Sequence, residues 1–210
     1  MTVEATTLDE LDGIPVAHGF VWRPIRRRFD IRAFGVNAYT SEGVGRQIVE
    51  EHDESRLGHQ ELYVVVRGRA RFTLDGEEHD APAGTLVFVR DPAVKRVAVA
   101  EEEGTVVLAL GGAPGKPYEV SAWEALFATI PHTRAERWDE AIAILDEALR
   151  DRPGHPATLY NLACVEARAG RVPDALVHLQ EAVRLEPSYA ELARKDSDFA
   201  AIRDEPAFPA

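Results

Sequence analysis

The sequence predicts a two-part protein: short β-strands closed into a sandwich or barrel, followed by paired α-helices. Three observations carry this. Between about residues 18 and 110, β-branched and aromatic runs alternate with Gly, Pro and Asp signals at spacings of about 8–12 residues. Regular structure then breaks at Gly111-Gly112-Ala113-Pro114-Gly115-Lys116-Pro117. Beyond that break apolar residues recur at helical spacing, and the chain matches itself at an offset of 34 residues. The division that follows is an N-terminal arm over 1–17, a barrel over 18–112, a linker over 113–118 and a helical domain over 119–210.

The strands read in order as FDIRAFGVNAYT, ELYVVVRG, RARFTLDG, GTLVFVRD, VKRVAVA and GTVVLALGG, rich in Val, Phe, Tyr and Thr. Leu74-Asp75-Gly76-Glu77 supplies the Asp-Gly pair of a tight hairpin turn. Arg26-Arg27-Arg28 sits between Trp22 and Phe34 in strand-like sequence, and reads as a solvated face or one with acids nearby. Trp22, Tyr63 and Phe88 are the aromatics placed to line a barrel pocket, although strand aromatics commonly serve as core.

The helices read as SAWEALFATI, DEAIAILDEALRD, ATLYNLACVEARAG and PDALVHLQEAVRLE, with ends at Pro153, Gly170 and Pro187. The offset of 34 aligns Ala141 with Ala175, Leu145 with Leu179, Ala148 with Ala182 and Pro153 with Pro187. Small residues at fixed places let helices approach closely, which stacked helix pairs require. The run Leu159-Tyr160-Asn161-Leu162-Ala163, with Gly170, Ala175, Leu179, Ala182 and Pro187, resembles the tetratricopeptide repeat. The resemblance implies about two repeats. ELARKDSDFAAIRDEPAF then reads as a final amphipathic helix covering the open end. It also implies a surface for a protein partner or for self-association.

In the strand half, Glu61-x6-Gly68 and Gly76-x5-Pro82-x-Gly84 resemble the two motifs of the cupin superfamily over roughly residues 35–112. The resemblance implies a jelly-roll, or double-stranded β-helix, whose sheet edges pair two copies into a homodimer. In metal-binding cupins the first motif carries His-x-His then Glu, and the second one further His. Together these hold iron, manganese, nickel or zinc. Here the second-motif position falls on Val87, which cannot ligate, and the Asn position falls on Asp91. The first motif is partly kept: His52-x-Glu54 stands for His-x-His, and Glu61 matches the glutamate after a longer loop. His59 precedes Glu61 by two residues and shares its strand face if the strand already runs there.

Two readings follow. In one, His52, Glu54, Glu61 and His59 hold a divalent metal by mixed nitrogen and oxygen donors. In the other, Glu61 is an inward acid that a hydrogen bond or an arginine must satisfy, because an unpartnered buried carboxylate is costly, while the histidines decorate a loop. Val87 weighs against the metal.

Composition removes several classes. The formal charge is −12, with 19 acids against 13 Lys/Arg up to Gly112 and 17 against 11 beyond it, so neither half has a basic footprint for nucleic acid. No apolar run nears the roughly 20 residues that span a bilayer. The acidic N-terminus lacks a secretory pattern, and Cys164 alone makes no internal disulfide, so a cytoplasmic protein is expected. There is no Gly-x-Ser-x-Gly elbow; Gly115-Lys116 lacks the rest of a phosphate loop; Cys164, His132 and His178 read as packing residues on helices. The expected function is a non-enzymatic small-molecule-binding, regulatory or scaffold protein. The alternative is a metal-dependent oxygenase or isomerase acting on a small organic substrate.

Overall fold

The computed structural model describes residues 4–16 and 19–209, and divides into two compact units, one ending at Val120 and one starting at Ser121. The expected boundary between arm and barrel, at residues 17 and 18, lies outside the described residues.

Among the described residues the first unit has ten strands: β1 (Ile14–Pro15), β2 (Phe20–Arg23), β3 (Gly35–Ser41), β4 (Gln47–His52), β5 (Gln60–Arg67), β6 (Arg69–Leu74), β7 (Glu77–Pro82), β8 (Leu86–Val89), β9 (Arg96–Ala100) and β10 (Val106–Gly112). They form two antiparallel sheets, of order β1-β2-β3-β10-β5-β8 and β4-β9-β6-β7. From β3 onward the chain changes sheet at every connection except the β6–β7 hairpin, which is jelly-roll order. That hairpin turns on Asp75 and Gly76, both at positive φ (48° and 89°), the type I′ geometry that Asp-Gly favours.

Both sheets feed one core, with Ile48, Tyr63, Val65, Phe72, Ala98 and Val107 at its centre. Strands β4 and β7 carry no clear sequence signal. In β7, Glu-Glu-His-Asp-Ala-Pro, only Ala81 is buried; it is an edge strand, and charge on an edge discourages pairing with a foreign strand. In β4, the register with β9 shifts between Gln47 and Val49, so Ile48 and Val49 are both buried and the alternation is lost. The arginine cluster is a correction. Ile25–Arg28 makes one turn of helix, α1, in place of strand, with the Arg28 N–H donating to the Pro24 carbonyl. Acid partners are nonetheless present, since Arg28 pairs with Glu4.

The second unit comprises α2 (Ala122–Arg134), α3 (Trp138–Asp151), α4 (Pro156–Arg168), α5 (Val172–Leu185) and α6 (Ser188–Lys195). Ala141, Leu145, Leu162, Ala175, Leu179 and Ala182 are fully buried, and Ala148 packs against the same interior. Gly170 takes positive φ (75°) between α4 and α5, a conformation a side chain would disfavour. The expected long capping helix is shorter. It ends at Lys195, where extended Asp196 accepts from the Asp198 N–H and from the Tyr160 hydroxyl. Phe199, at the end of a short 3-10 helix (Ser197–Phe199), and Ile202, in the turns that follow, then complete the cap, both fully buried.

His178 Nδ1 lies 2.7 Å from Oε2 of buried Glu166. That hydrogen bond, against the opposing effect of burial, raises the His178 pKa, with Asp146 and Asp174 adding to the rise. A raised folded-state pKa gives stability that is complete below the ordinary histidine value and is lost as pH rises through the raised one. The helical unit is therefore expected to weaken, on the order of 1 kcal/mol after solvent screening, as pH rises above the ordinary histidine value. Urea melts of wild type and His178→Gln check this: the variant should lose the slope.

Candidate functional site at the barrel mouth

β4 ends at His52, β5 begins beside Glu61 and β9 begins at Arg96, so three strand ends meet at one mouth of the barrel. His52 is in register with Arg96, and Glu61 with Gly111 on one side and Val89 on the other. Tyr63, two residues along β5, shares the inward face with Glu61.

Glu61 Oε2 is the centre of the arrangement. It accepts from the Tyr63 hydroxyl at 2.5 Å and from Arg96 Nη1 at 2.7 Å, and faces His52 Nε2 at 3.4 Å. Burial works to raise the Glu61 carboxyl, but hydrogen bonds from His52 and Tyr63, together with the His52 charge and Arg96, outweigh it and hold the group below the usual carboxylate range. Burial, and after it the same carboxylate, push the Tyr63 hydroxyl well up.

Arg96 has no exposed side-chain surface. Besides Glu61, its guanidinium donates from Nε to the Val94 carbonyl and from Nη2 to those of Val94 and Pro92. It thus ties the β8–β9 loop to the mouth while neutralising Glu61. Its one sequence signal is phase: Arg96, Ala98 and Ala100 alternate on one face of β9, all buried. An arginine beside Lys95 reads more readily as a solvated strand entrance, so the residue was not foreseen.

His52 and Glu54 complete the inner group. His52 Nδ1 lies 2.7 Å from the Glu50 carbonyl, which fixes that nitrogen as a donor and turns Nε2 toward Glu61. Burial pulls the His52 pKa down, yet the hydrogen bonds to Glu61 and the Glu50 carbonyl and the Glu61 charge leave it raised. Glu54 sits in the loop after β4, held by its N–H donating to the Pro92 carbonyl. Burial and the neighbouring Glu61 charge push its carboxyl up to about 7. One ligand atom each from His52, Glu54 and Glu61 lies within 4.8 Å of the others. The histidines therefore do not simply decorate a loop.

His59 lies just before β5, not on it. It is buried, with Nδ1 3.3 Å from Glu54 Oε2 and its ring stacked on Tyr118, and it stands outside the three-donor group. Burial lowers its pKa. Val87 faces inward opposite Tyr63 and packs on the core, an apolar surface where a fourth ligand would stand. Trp22 and Tyr63 are buried, Trp22 on β2 and Tyr63 within the barrel core. Phe88 is a correction: β8 turns Val87 and Val89 in and Leu86 and Phe88 out, leaving Phe88 49% exposed under the Arg90 guanidinium. It lines an outer cleft of about 510 Å³ with Leu74, His79, Val89 and Val94.

The donor spacing suits a cation better than the charge does. Arg96 already occupies Glu61 Oε2, leaving Glu54 as the acid that lacks a fixed cationic partner at hydrogen-bond distance. A guanidinium repels a dication about as strongly as one carboxylate at the same distance attracts it, so Arg96 cancels Glu61 and leaves Glu54 as the net negative charge of the group. The donor set therefore suits a dication in spacing but only weakly in charge.

Comparison with known proteins finds similarities in both units. Residues 132–195 match the tetratricopeptide repeat family model. The chain is also similar to the structure of KdgF from Halomonas sp., at 18% identity and TM-score 0.45, over 58% of this chain and 99% of that one. It is similar to a cupin-superfamily sugar phosphate isomerase from Silicibacter pomeroyi, at 16% identity and TM-score 0.43, over 52% and 75%. A third similar structure is an RmlC-like cupin from Shewanella frigidimarina, at 16% identity and TM-score 0.41, over 54% and 95%. The chain joins a jelly roll to a helical unit in which residues 132–195 match the tetratricopeptide repeat model. Among the described residues no helix is long and apolar enough to cross a membrane.

Proposed function

We propose that the protein is a non-enzymatic binding module, in which the barrel mouth takes a small polar molecule without a metal and the tetratricopeptide helices engage a protein partner. The observation that carries this reading is the buried Arg96 guanidinium on Glu61 Oε2. It supplies the positive charge that a metal would otherwise bring, and leaves His52 and Glu54 to meet the ligand. His52 is about one-third exposed, so the mouth is open on its side. Glu54, titrating near 7, offers both a donating and an accepting form at neutral pH. Such a pair suits a ligand rich in hydroxyl or amide groups.

Ligand-observed NMR of a small-molecule library, run at pH 7 with a chelator present, tests the reading. Ligands of the mouth are expected to lose about tenfold or more in affinity with Glu54→Ala, the effect of one charge-assisted hydrogen bond. They should be indifferent to Phe88→Ala on the outer cleft. A library in which every hit ignores Glu54→Ala contradicts it.

The competing reading, a divalent-metal oxygenase or isomerase, has support from the approach of His52, Glu54 and Glu61 within 4.8 Å. It requires a metal to share the Glu61 carboxylate with Arg96.

A further inference from the structure

The segment between β10 and α2 is no bare connection. After Gly112 the chain turns, closed by the Lys116 N–H donating to the Ala113 carbonyl, with Gly115 at positive φ (70°) and Pro114 and Pro117 stiffening either side. The turn returns Tyr118 onto the barrel. One side of the ring rests where Gly35 has no side chain: a Cβ there would stand 2.6 Å from the Tyr118 hydroxyl oxygen and 2.9 Å from two ring carbons. Gly35 is in register with Gly111, and Gly111 with Glu61, so this glycine floor adjoins the site. The ring also stacks on His59, with centroids 5.7 Å apart and planes at 27°. His59 in turn meets Glu54.

We propose that Tyr118 is the clasp of the barrel mouth: seated on Gly35, it positions His59 against Glu54 and closes that side of the site to solvent. The inference deepens the binding reading above, since it makes residues 113–118 part of the site. Only Glu119 and Val120 separate Tyr118 from Ser121, the residue that precedes α2. The strap that shuts the mouth is therefore also the chain that enters the helices. A ligand that unseats Tyr118 lengthens that tether, and a partner that pulls on it opens the mouth.

The test contains no ligand, so it stands or falls apart from the binding screen. The full-length chain is treated with diethyl pyrocarbonate, and each histidine's modification rate is read by peptide mass spectrometry. Exposed His79 serves as the fast reference and His178, in the other unit, as the control. His59 is expected to react slowly in wild type. In Tyr118→Ala and Gly35→Ala its rate should rise about tenfold, the order of an aromatic stacking contact. Tyr118→Phe keeps the ring and should behave as wild type. A rise confined to His59 in both opening variants supports the clasp. No rise in Tyr118→Ala, a rise shared by His178, or a Tyr118→Phe protein that behaves like Tyr118→Ala overturns it.

Discussion

Arg96→Met is expected to destabilise the barrel unit by about 3–5 kcal/mol, because it leaves a buried carboxylate without its cation. Methionine fills much of the arginine stem's volume, so cavity formation contributes little and charge decides the outcome. Three further hydrogen bonds, to Val94 and Pro92, are lost at the same time, loosening the loop from which Pro92 also holds Glu54. Glu61 would hold a proton somewhat more readily, since one of the contacts opposing burial is lost while the hydrogen bonds from His52 and Tyr63 remain. Removing both charges should be milder than removing one. Arg96→Met with Glu61→Met is expected to recover most of the loss, as replacing a whole buried pair by apolar side chains often does. Chemical denaturation of the four proteins at constant pH reads the cycle. A single-variant cost below about 1 kcal/mol would place the pair among exposed ion pairs, which its burial contradicts.

How much of this was legible in the chain depends on where each residue's constraint comes from. Strands with one buried face and turns with Gly or Asp-Gly announce themselves, so β5, β6, β8, β9 and β10 were readable. The β7 edge was not, because protecting an edge calls for charge, and charge erases the alternation. The helical repeats were readable because stacking imposes small residues at a fixed offset. Their cap is shorter than its pattern suggests, because Asp196, where α6 ends, accepts from the distant Tyr160 hydroxyl as well as from the nearby Asp198 N–H.

The site divides in the same way. His52, Glu54 and Glu61 lie close together in sequence, and a motif spacing pointed to them. Arg96 is 35 residues from its partner. Nothing local distinguishes it from a solvated arginine except its phase with Ala98 and Ala100. Tyr118 was hidden for the opposite reason: Gly and Pro around it read as linker, and only the tertiary structure reveals the Gly35 floor on which it sits.

The most direct test of the central claim, that Arg96 stands where a metal would, is a titration of chelator-stripped protein with Mn²⁺ and Zn²⁺ at neutral pH. Wild type is expected to show no stoichiometric site. Arg96→Met is expected to bind one equivalent through His52, Glu54 and Glu61, and to lose it on adding Glu61→Gln. Near-stoichiometric metal in wild type that disappears in Glu61→Gln would contradict the account and make the barrel a metal site despite its arginine.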